Sequence, residues 1–356
     1  MKDLLLILLG ISGFATTGVI AAQTDERIPI IFDTDFVMPP ADDALALMLA
    51  LQSPEIEILG ITTVAGNDSL EQAVVDVLRM LEIAEQATIP VFIGADMPLV
   101  HAKSDYAVRS YGNWYSNEPP TEPPGGFANK KAEDEAAVSF IINTVLSHPQ
   151  EITIVALGPL TNIAQAIRAE PRFAESVKRL VIMGGAIALL PDGAGNITPN
   201  AEFNFWVDPE AAHVTLRSGI PIELSPLNVS RKSSLTEQWY EKMVENETPL
   251  TRLLKDTMGP RFDANPDMTW IMYDQIAMAS VIDPDLVKSQ KLIVDVNIDH
   301  GISYGVSVGG KNKWPGAELA QEMDVQYDLD WISFIEMFVD RIGRPLQSGD
   351  ASSRQE

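Results

Sequence analysis

The chain contains no cysteine in its 356 residues. That excludes disulfides, thiolate metal sites, thiol nucleophiles and a lipidated N-terminal cysteine. Basic residues are scarce as well: 25 Lys and Arg stand against 50 Asp and Glu, a net charge of −25. Such a surface repels a phosphate backbone, so nucleic acid is not an expected partner. After the first two dozen residues no segment is apolar enough to span a bilayer. There is no internal repeat and no low-complexity tract.

The one long apolar run is N-terminal. MKDLLLILLGISGFATTGVIAA has an early lysine, an apolar stretch broken by glycine and threonine, and small residues at Ala21 and Ala22. This pattern predicts a secretory signal peptide over residues 1–22. An uncleaved membrane anchor is the competing reading, and the short, glycine-interrupted run favours cleavage. The mature protein is then expected to be periplasmic or secreted and free of the membrane. Absence of disulfides fits a bacterial periplasm or medium. Residues 23–345 suffice for one large α/β domain or two small ones, and the tail 346–356, ending in QSGDASSRQE, is expected to be disordered.

Strand and helix signals alternate along this domain. RIPIIFD, IEILGITTVAG, TIPVFIG, EITIVALG, RLVIMGG and PIEL read as strands. Between them, Asp42 to Leu51, the segment opened by Ser69 and Leu70, Ala136 to Leu146, the face Leu160, Ile163, Ala164 and Ile167, and Asp208 to Leu216 read as helices. Two or three more helices are expected up to about Ser280. KLIVDVNID and ISYGVSVGG then suggest a β-hairpin, and Trp331, Phe334, Ile335, Phe338 and Ile342 stripe a last helix. Repeated βα units imply an α/β fold: a single open, mainly parallel, Rossmann-like sheet with helices on both faces and a small hairpin addition. Ligands of such sheets bind beyond the carboxyl ends of the strands.

Residues 95–132 break the rhythm with HAKSDYAVRSYGNWYSNEPPTEPPGG. A surface insertion would share this composition. The aromatics Tyr106, Tyr111, Trp114 and Tyr115 favour a lid over a ligand.

The densest chemistry lies in IIFDTDFVMPPADDALALMLAL, residues 30–51, with Asp33, Asp35, Asp42 and Asp43. Any one of them could be an ordinary first-turn residue, favoured by the partial positive charge of a helix N-terminus. Four within eleven residues, beside a buried strand, repel one another unless a cation or proton intervenes. Hard oxygen donors, with neither cysteine nor a paired-histidine motif, point to Ca²⁺ or Mg²⁺. A strand followed by Asp-x-Asp suits two enzyme classes. IIFDTDFV resembles the haloacid-dehalogenase-like phosphatases, in which Asp33 would be the nucleophile beside Mg²⁺. DTDFVMPPADDALAL resembles the nucleoside hydrolases, in which Asp-x-Asp, a short loop and Asp-Asp lead into an apolar helix.

Downstream stretches separate the two. GITTVAGN (60–67), VALGPLTNIA (155–164), VIMGGA (181–186), GNITPNAEFNFWVDPEAA (195–212) and YDQIAMA (273–279) follow in the order of the second family and span nearly the whole mature chain. The chain thus resembles the calcium-dependent inosine/uridine-type nucleoside hydrolases. That resemblance implies hydrolysis of a ribonucleoside to ribose and free base. It also implies one Ca²⁺ held by Asp35, Asp43, Asp274 and the carbonyl of Leu157, with Asp35 as general base toward the metal's water. Asp42, Asn67, Met183, Asn196, Glu202 and Asn204 would bind the substrate, and Asp33 would orient the metal ligands from behind. Relatives of this kind assemble as dimers or tetramers, which makes a homo-oligomer an expectation here. A Mg²⁺-dependent phosphatase and a non-catalytic exported nucleoside-binding protein are the alternatives.

Two departures from the family pattern stand out. FVMPPA puts six residues between Asp35 and Asp42 where relatives have three, so the extra residues must bulge before the helix, with Pro39 and Pro40 fixing its approach. Tyr273 occupies a position that is histidine in many relatives. A tyrosine is a poorer acid but a good hydrogen-bond donor and stacking surface. Leaving-group assistance is therefore expected from Tyr273 with Trp114 or Tyr111, or from His101.

Overall fold

A computed structural model describes residues 27–101 and 119–346. Its strands are β1 Ile28–Thr34, β2 Ile56–Thr63, β3 Val91–Phe92, β4 Thr153–Ala156, β5 Arg179–Met183, β6 Ile222–Ser225, β7 Val287–Val296, β8 Ser307–Gly310 and β9 Glu322–Leu329. They form one sheet in the order β3-β2-β1-β4-β5-β6-β9-β7-β8. Every pair from β3 to β9 is parallel, and β7 runs antiparallel to both β9 and β8. This is the mainly parallel, Rossmann-like α/β sheet expected.

The period-two alternation of side chains builds two cores from each central strand. Ile30 and Phe32 of β1, with Val155 of β4 and Val181 of β5, enter one apolar layer. Ile31, Ile154, Ala156, Leu180 and Ile182 enter the layer on the other face. Both faces being covered explains why these strands read as nearly continuous apolar runs. Helix α1, Asp42–Leu51, is buried from Asp43 to Ala50. It packs against the helix Asp274–Ile282 and the last helix, Trp331–Ile342. Helix α2, Leu70–Ile83, begins at Ser69, whose hydroxyl accepts the Gln72 N–H at 3.3 Å, an ordinary N-cap.

The chain leaves β1 toward β2 and β3 on one side, then returns to place β4, β5 and β6 on the other. The reversal opens a crevice beyond the carboxyl ends of β1 and β4. Asp35 directly follows the first of these strands, and Leu157 directly follows the second.

Several expectations change in detail. TIPVFIG keeps only Val91–Phe92 as strand. Between Leu216 and Ser280 the described chain forms five helices, several of one or two turns, rather than two or three. The hairpin is the edge of the main sheet, because β9, EMDVQYDL, inserts between it and β6. Its acidic residues disguise that strand in sequence. In the fold, Asp324 and Asp328 meet Lys291 and Lys288 of β7 at 2.7 and 2.8 Å, while Met323 and Val325 face the core. Of the expected lid, 95–101 and 119–132 form neither helix nor strand. Tyr106, Tyr111, Trp114 and Tyr115 lie outside the described residues, as do the signal-peptide segment 1–22 and the tail from 347. Among the described residues no helix is long and apolar enough to cross a membrane.

Candidate active site

A cavity of about 300 Å³ opens at the crevice. Asp42, Asn67, Leu157 and Met183 line it from the strand ends, and Asn196, Glu202 and Asn204 from the segment after β5. Tyr273 and Asp274 come from the start of the helix Asp274–Ile282. Nine positions singled out from sequence thus converge on one pocket. Ile197 and Phe203 complete the wall and were not foreseen, although both sit inside the GNITPNAEFN stretch.

Asp42, Asp43 and Asp274 form the floor: each offers a carboxylate oxygen, and these lie within 4.8 Å of one another. Asp43 is wholly buried and Asp274 nearly so. Thr34 Oγ1 and Asn67 Nδ2 donate to the two oxygens of Asp43, the latter at 2.9 Å. The backbone N–H of Asn67 donates to Asp35 Oδ2 at 2.7 Å. Asn67 therefore grips two carboxylates at once, and its amide group is turned onto Asp43. Asp35 lies near enough to Asp43 for the two carboxyls to influence each other's ionisation. Backbone pressed against Asp35 leaves no room for side chains: a Cβ at Gly66 would lie 2.1 Å from its Oδ2, and one at Gly158 2.7 Å from its Oδ1.

These carboxyls are held in an environment that resists their charge. Burial, then repulsion from Asp42, pushes Asp43 up to about 7. Burial and the neighbouring aspartates raise Asp35 and Asp274 well above the ordinary carboxylate range, and burial raises Asp42. Among the described residues, Asp35 Oδ1 and Asp274 Oδ1 are buried without a hydrogen-bond partner. Oxygen-only donors, crowded, buried and partly unpartnered, fit a divalent cation. The Leu157 carbonyl borders the same cavity. It accepts Asn204 Nδ2 at 2.8 Å, and its second lone pair remains available.

Asn204 Nδ2 also lies 3.2 Å from the Met183 carbonyl, which fixes its orientation. Glu202 accepts three backbone N–H groups, from Asn204, Gly185 and Phe205, at 2.9, 2.9 and 3.1 Å. Its carboxyl is nevertheless raised, because burial outweighs those bonds. Asn196 Oδ1 accepts the Phe203 N–H at 2.9 Å. The Tyr273 phenol is pushed up by burial and by Asp42, an effect opposed by the Arg231 guanidinium, so it keeps its proton at neutral pH.

Asp33 does not reach the cavity. It faces its register partner Thr62 across the sheet, and its Oδ1 accepts from Thr62 Oγ1 and from Asn162 Nδ2 at 2.5 and 2.8 Å. Burial raises it to about 6. A carboxylate walled in this way cannot attack phosphorus, which removes the phosphatase reading. Thr34 and Asn162, the two orienting residues that sequence reasoning missed, sit inside the quoted stretches DTD and GPLTN. Their hydrogen-bonding side chains were the only available signal. His101 also stays away from the cavity: its Nδ1 lies 2.9 Å from the Trp206 carbonyl and 3.1 Å from that of Val207. In the six-residue linker, Phe36 and Met38 are buried, the Pro39–Pro40 bond is cis, and the Met38 N–H donates to Asp76 Oδ2 at 3.3 Å.

Residues 30–330 match the family described as inosine-uridine preferring nucleoside hydrolase. The pyrimidine-specific ribonucleoside hydrolase RihB of Escherichia coli O9:H4 (strain HS) is 33% identical over 310 residues, 86% of this chain and 95% of that protein. The plant nucleoside hydrolase PpNRh1 superposes with a TM-score of 0.75 at 29% identity, over 89% of this chain and 99% of its own. A purine-preferring ribonucleoside hydrolase from Gardnerella vaginalis gives 0.73 at 27% identity, over 88% and 98%.

Proposed function

The chain belongs to the inosine-uridine preferring nucleoside hydrolase family, and we propose from its site which residues carry the reaction and which ion assists them. It is a glycosidase: a metal-activated water attacks the N-glycosidic bond of a ribonucleoside. The observation that carries our assignment is the triad Asp42, Asp43 and Asp274 at the floor of the cavity, with Asp35 Oδ1 unpartnered among the described residues.

The ion in this reading is Ca²⁺, which Asp35, Asp43, Asp274 and the Leu157 carbonyl would hold, with the Asp42 carboxylate clustered beside those of Asp43 and Asp274. When bound it lowers the pKa of a water and neutralises the crowded carboxylates. Asp35 takes the proton of the attacking water through its unpartnered oxygen. Asp42, Asn196, Glu202 and Asn204 hold the ribose hydroxyls, and Met183, which lines the same cavity, adds an apolar contact to the substrate. Asn67 keeps Asp35 and Asp43 in place. As the bond to the base breaks, positive charge grows on the sugar, and the acidic floor favours it. Tyr273, protonated at neutral pH, donates to the departing base, and Ile197 and Phe203 give that base apolar walls.

Residues 1–22 act as an export signal in this proposal. The mature hydrolase, 23–345, works in the periplasm or medium on extracellular nucleosides, free of membrane and nucleic acid and assembled as a homo-oligomer. Incubation of the purified protein with inosine, uridine and p-nitrophenyl phosphate, with and without EDTA, tests the reading. Ribose release that is lost on chelation and restored by Ca²⁺ in preference to Mg²⁺ is the expected result. Phosphate release, or nucleoside turnover indifferent to chelation, refutes it. Relative kcat/KM on inosine and uridine then sets the base preference.

A further inference from the structure

The wall of the cavity at Asn196 and Ile197 belongs to the loop that follows β5, and that loop has neither helix nor strand to hold it. Its conformation is demanding. Asp192 takes a φ of 61°, and a Cβ at Gly195 would lie 2.3 Å from the carbonyl oxygens of Thr198 and Ala201. Part of the support is internal, the N–H groups of Asn196 and Ile197 donating to the Ala201 carbonyl at 3.1 and 3.3 Å; the stretch before them is anchored from outside, by the short helix Leu227–Ser230 and the residue that ends it. Asn228 is wholly buried; its Nδ2 donates to the carbonyls of Ile187 and Pro191 at 3.1 and 2.6 Å, and its Oδ1 accepts the Ile187 N–H at 2.9 Å. Arg231 takes over where Asn228 stops. Its Nη1 donates to the carbonyls of Asp192 and Ala194, both at 2.5 Å, and its Nη2 to that of Gly195 at 3.0 Å. Three carbonyls from four consecutive residues thus converge on one guanidinium, and the next residue is Asn196.

We propose that Arg231 is the positioning residue of this loop and sets the affinity for the ribonucleoside by holding Asn196 and Ile197 against the cavity. A planar fork can satisfy several carbonyls in fixed directions, which an ammonium on a flexible stem cannot do. The contacts are charge-assisted, so their loss frees the loop at the point where the wall begins. None of these contacts involves a carboxylate of the acidic floor, so Ca²⁺ binding does not depend on Arg231. The neighbouring ion pair of Lys232 with Asp192 Oδ2, at 2.7 Å, is solvent-exposed and contributes little. The inference rests on Asn196 as a substrate contact.

Steady-state kinetics on uridine and inosine at saturating Ca²⁺ test it, with Ca²⁺ affinity and Tm measured alongside. Arg231→Ala should raise KM by about tenfold, the loss of one hydrogen bond from Asn196 to the substrate, while Ca²⁺ affinity holds and kcat, reached by Arg231 only through the field on Tyr273, changes by less than KM does. Arg231→Lys should not restore KM, and Lys232→Ala should leave it unchanged. Because Arg231 acts in large part through Asn196, the effects of Arg231→Ala and Asn196→Ala on KM should be less than additive in the double variant. Where Arg231→Ala does not fold, Arg231→Gln carries the same comparison. An unchanged KM, a loss confined to kcat, full rescue by lysine, or additive effects in the double variant each overturn the proposal. If Asn196→Ala raises KM and Arg231→Ala does not, only this inference fails. If Asn196→Ala itself leaves KM unchanged, the substrate-contact reading fails and this inference falls with it.

Discussion

Replacing Asp43 by asparagine should act in opposite directions in the metal-free and metal-loaded enzyme. Asp43 is wholly buried and its carboxyl is raised from 3.8 to about 7, first by burial and then by Asp42. Folding must therefore bring an aspartate that is ionised in the unfolded chain into a place that resists its charge. By linkage, a shift of that size costs about 4 kcal/mol at pH values above the folded pKa. Asparagine has nearly the same shape, carries no charge, and can still accept from Thr34 Oγ1, although its Nδ2 then faces Asn67 Nδ2 and that hydrogen bond is lost. Desolvating its amide costs about 1–3 kcal/mol. The net gain in EDTA is then about 2 kcal/mol, a rise in Tm of about 3 °C for a domain of this size. With Ca²⁺ the same change removes a charged ligand from a site of few donors, and affinity should fall by a factor of about 10³ or more. Thermal melts of both proteins at about pH 7.5, in EDTA and in Ca²⁺, together with calorimetric titration of the ion, read both effects. A lower Tm for Asp43→Asn in EDTA, or unchanged Ca²⁺ affinity, would refute the account of the acidic floor as a site waiting for a cation.

The other predictions follow from the same site. In chelator, Tm of the wild-type protein should fall as pH rises from about 5 to about 7.5: Asp33 and Asp43 sit at about 6 and about 7, above the unfolded carboxylate value, so the folded state binds more protons and loses stability as they ionise. Saturating Ca²⁺ should flatten that slope, and a slope of opposite sign in chelator argues against the raised carboxyls. Asp35→Asn should lower kcat by about 10²–10⁴ with a much smaller change in KM, as removal of a general base does; kcat within a few-fold of wild type would take that role from Asp35. Gly66→Ala introduces a Cβ 2.1 Å from Asp35 Oδ2 and should cut both kcat and Ca²⁺ affinity while leaving the far-UV circular dichroism unchanged. Tyr273→Phe should slow inosine and uridine but not a 4-nitrophenyl riboside, whose leaving group needs no proton; equal effects on all three remove Tyr273 as the donor.

Local pattern carried most of the architecture. Helices α1 and Trp331–Ile342 and the central strands announce themselves through apolar periodicity and turn residues, which depend on near neighbours alone. Strand β9 did not, because the charges that pair with Lys288 and Lys291 look like loop until β7 is laid beside them. The same limit governs the site. The types of donor and their order were legible, since hard oxygen ligands at strand ends are a matter of composition and alternation. The division of labour among the four early aspartates was not legible from pattern alone. Asp33 and Asp35 differ by two residues, yet one is enclosed by Thr62 and Asn162 and the other lies at the strand end beside Asp43.

The sequence by itself thus determined a βα repeat, an acidic centre suited to a hard cation, and membership among nucleoside hydrolases. Only the tertiary structure decided that Asp274 joins Asp42 and Asp43 within 4.8 Å, that Asn67 turns its amide onto Asp43, and that Arg231 holds the loop before Asn196. The physical reason is range. Periodicity and turn chemistry act over a few residues, whereas carboxylates from opposite ends of a chain meet only when strand order and helix packing bring their backbones together.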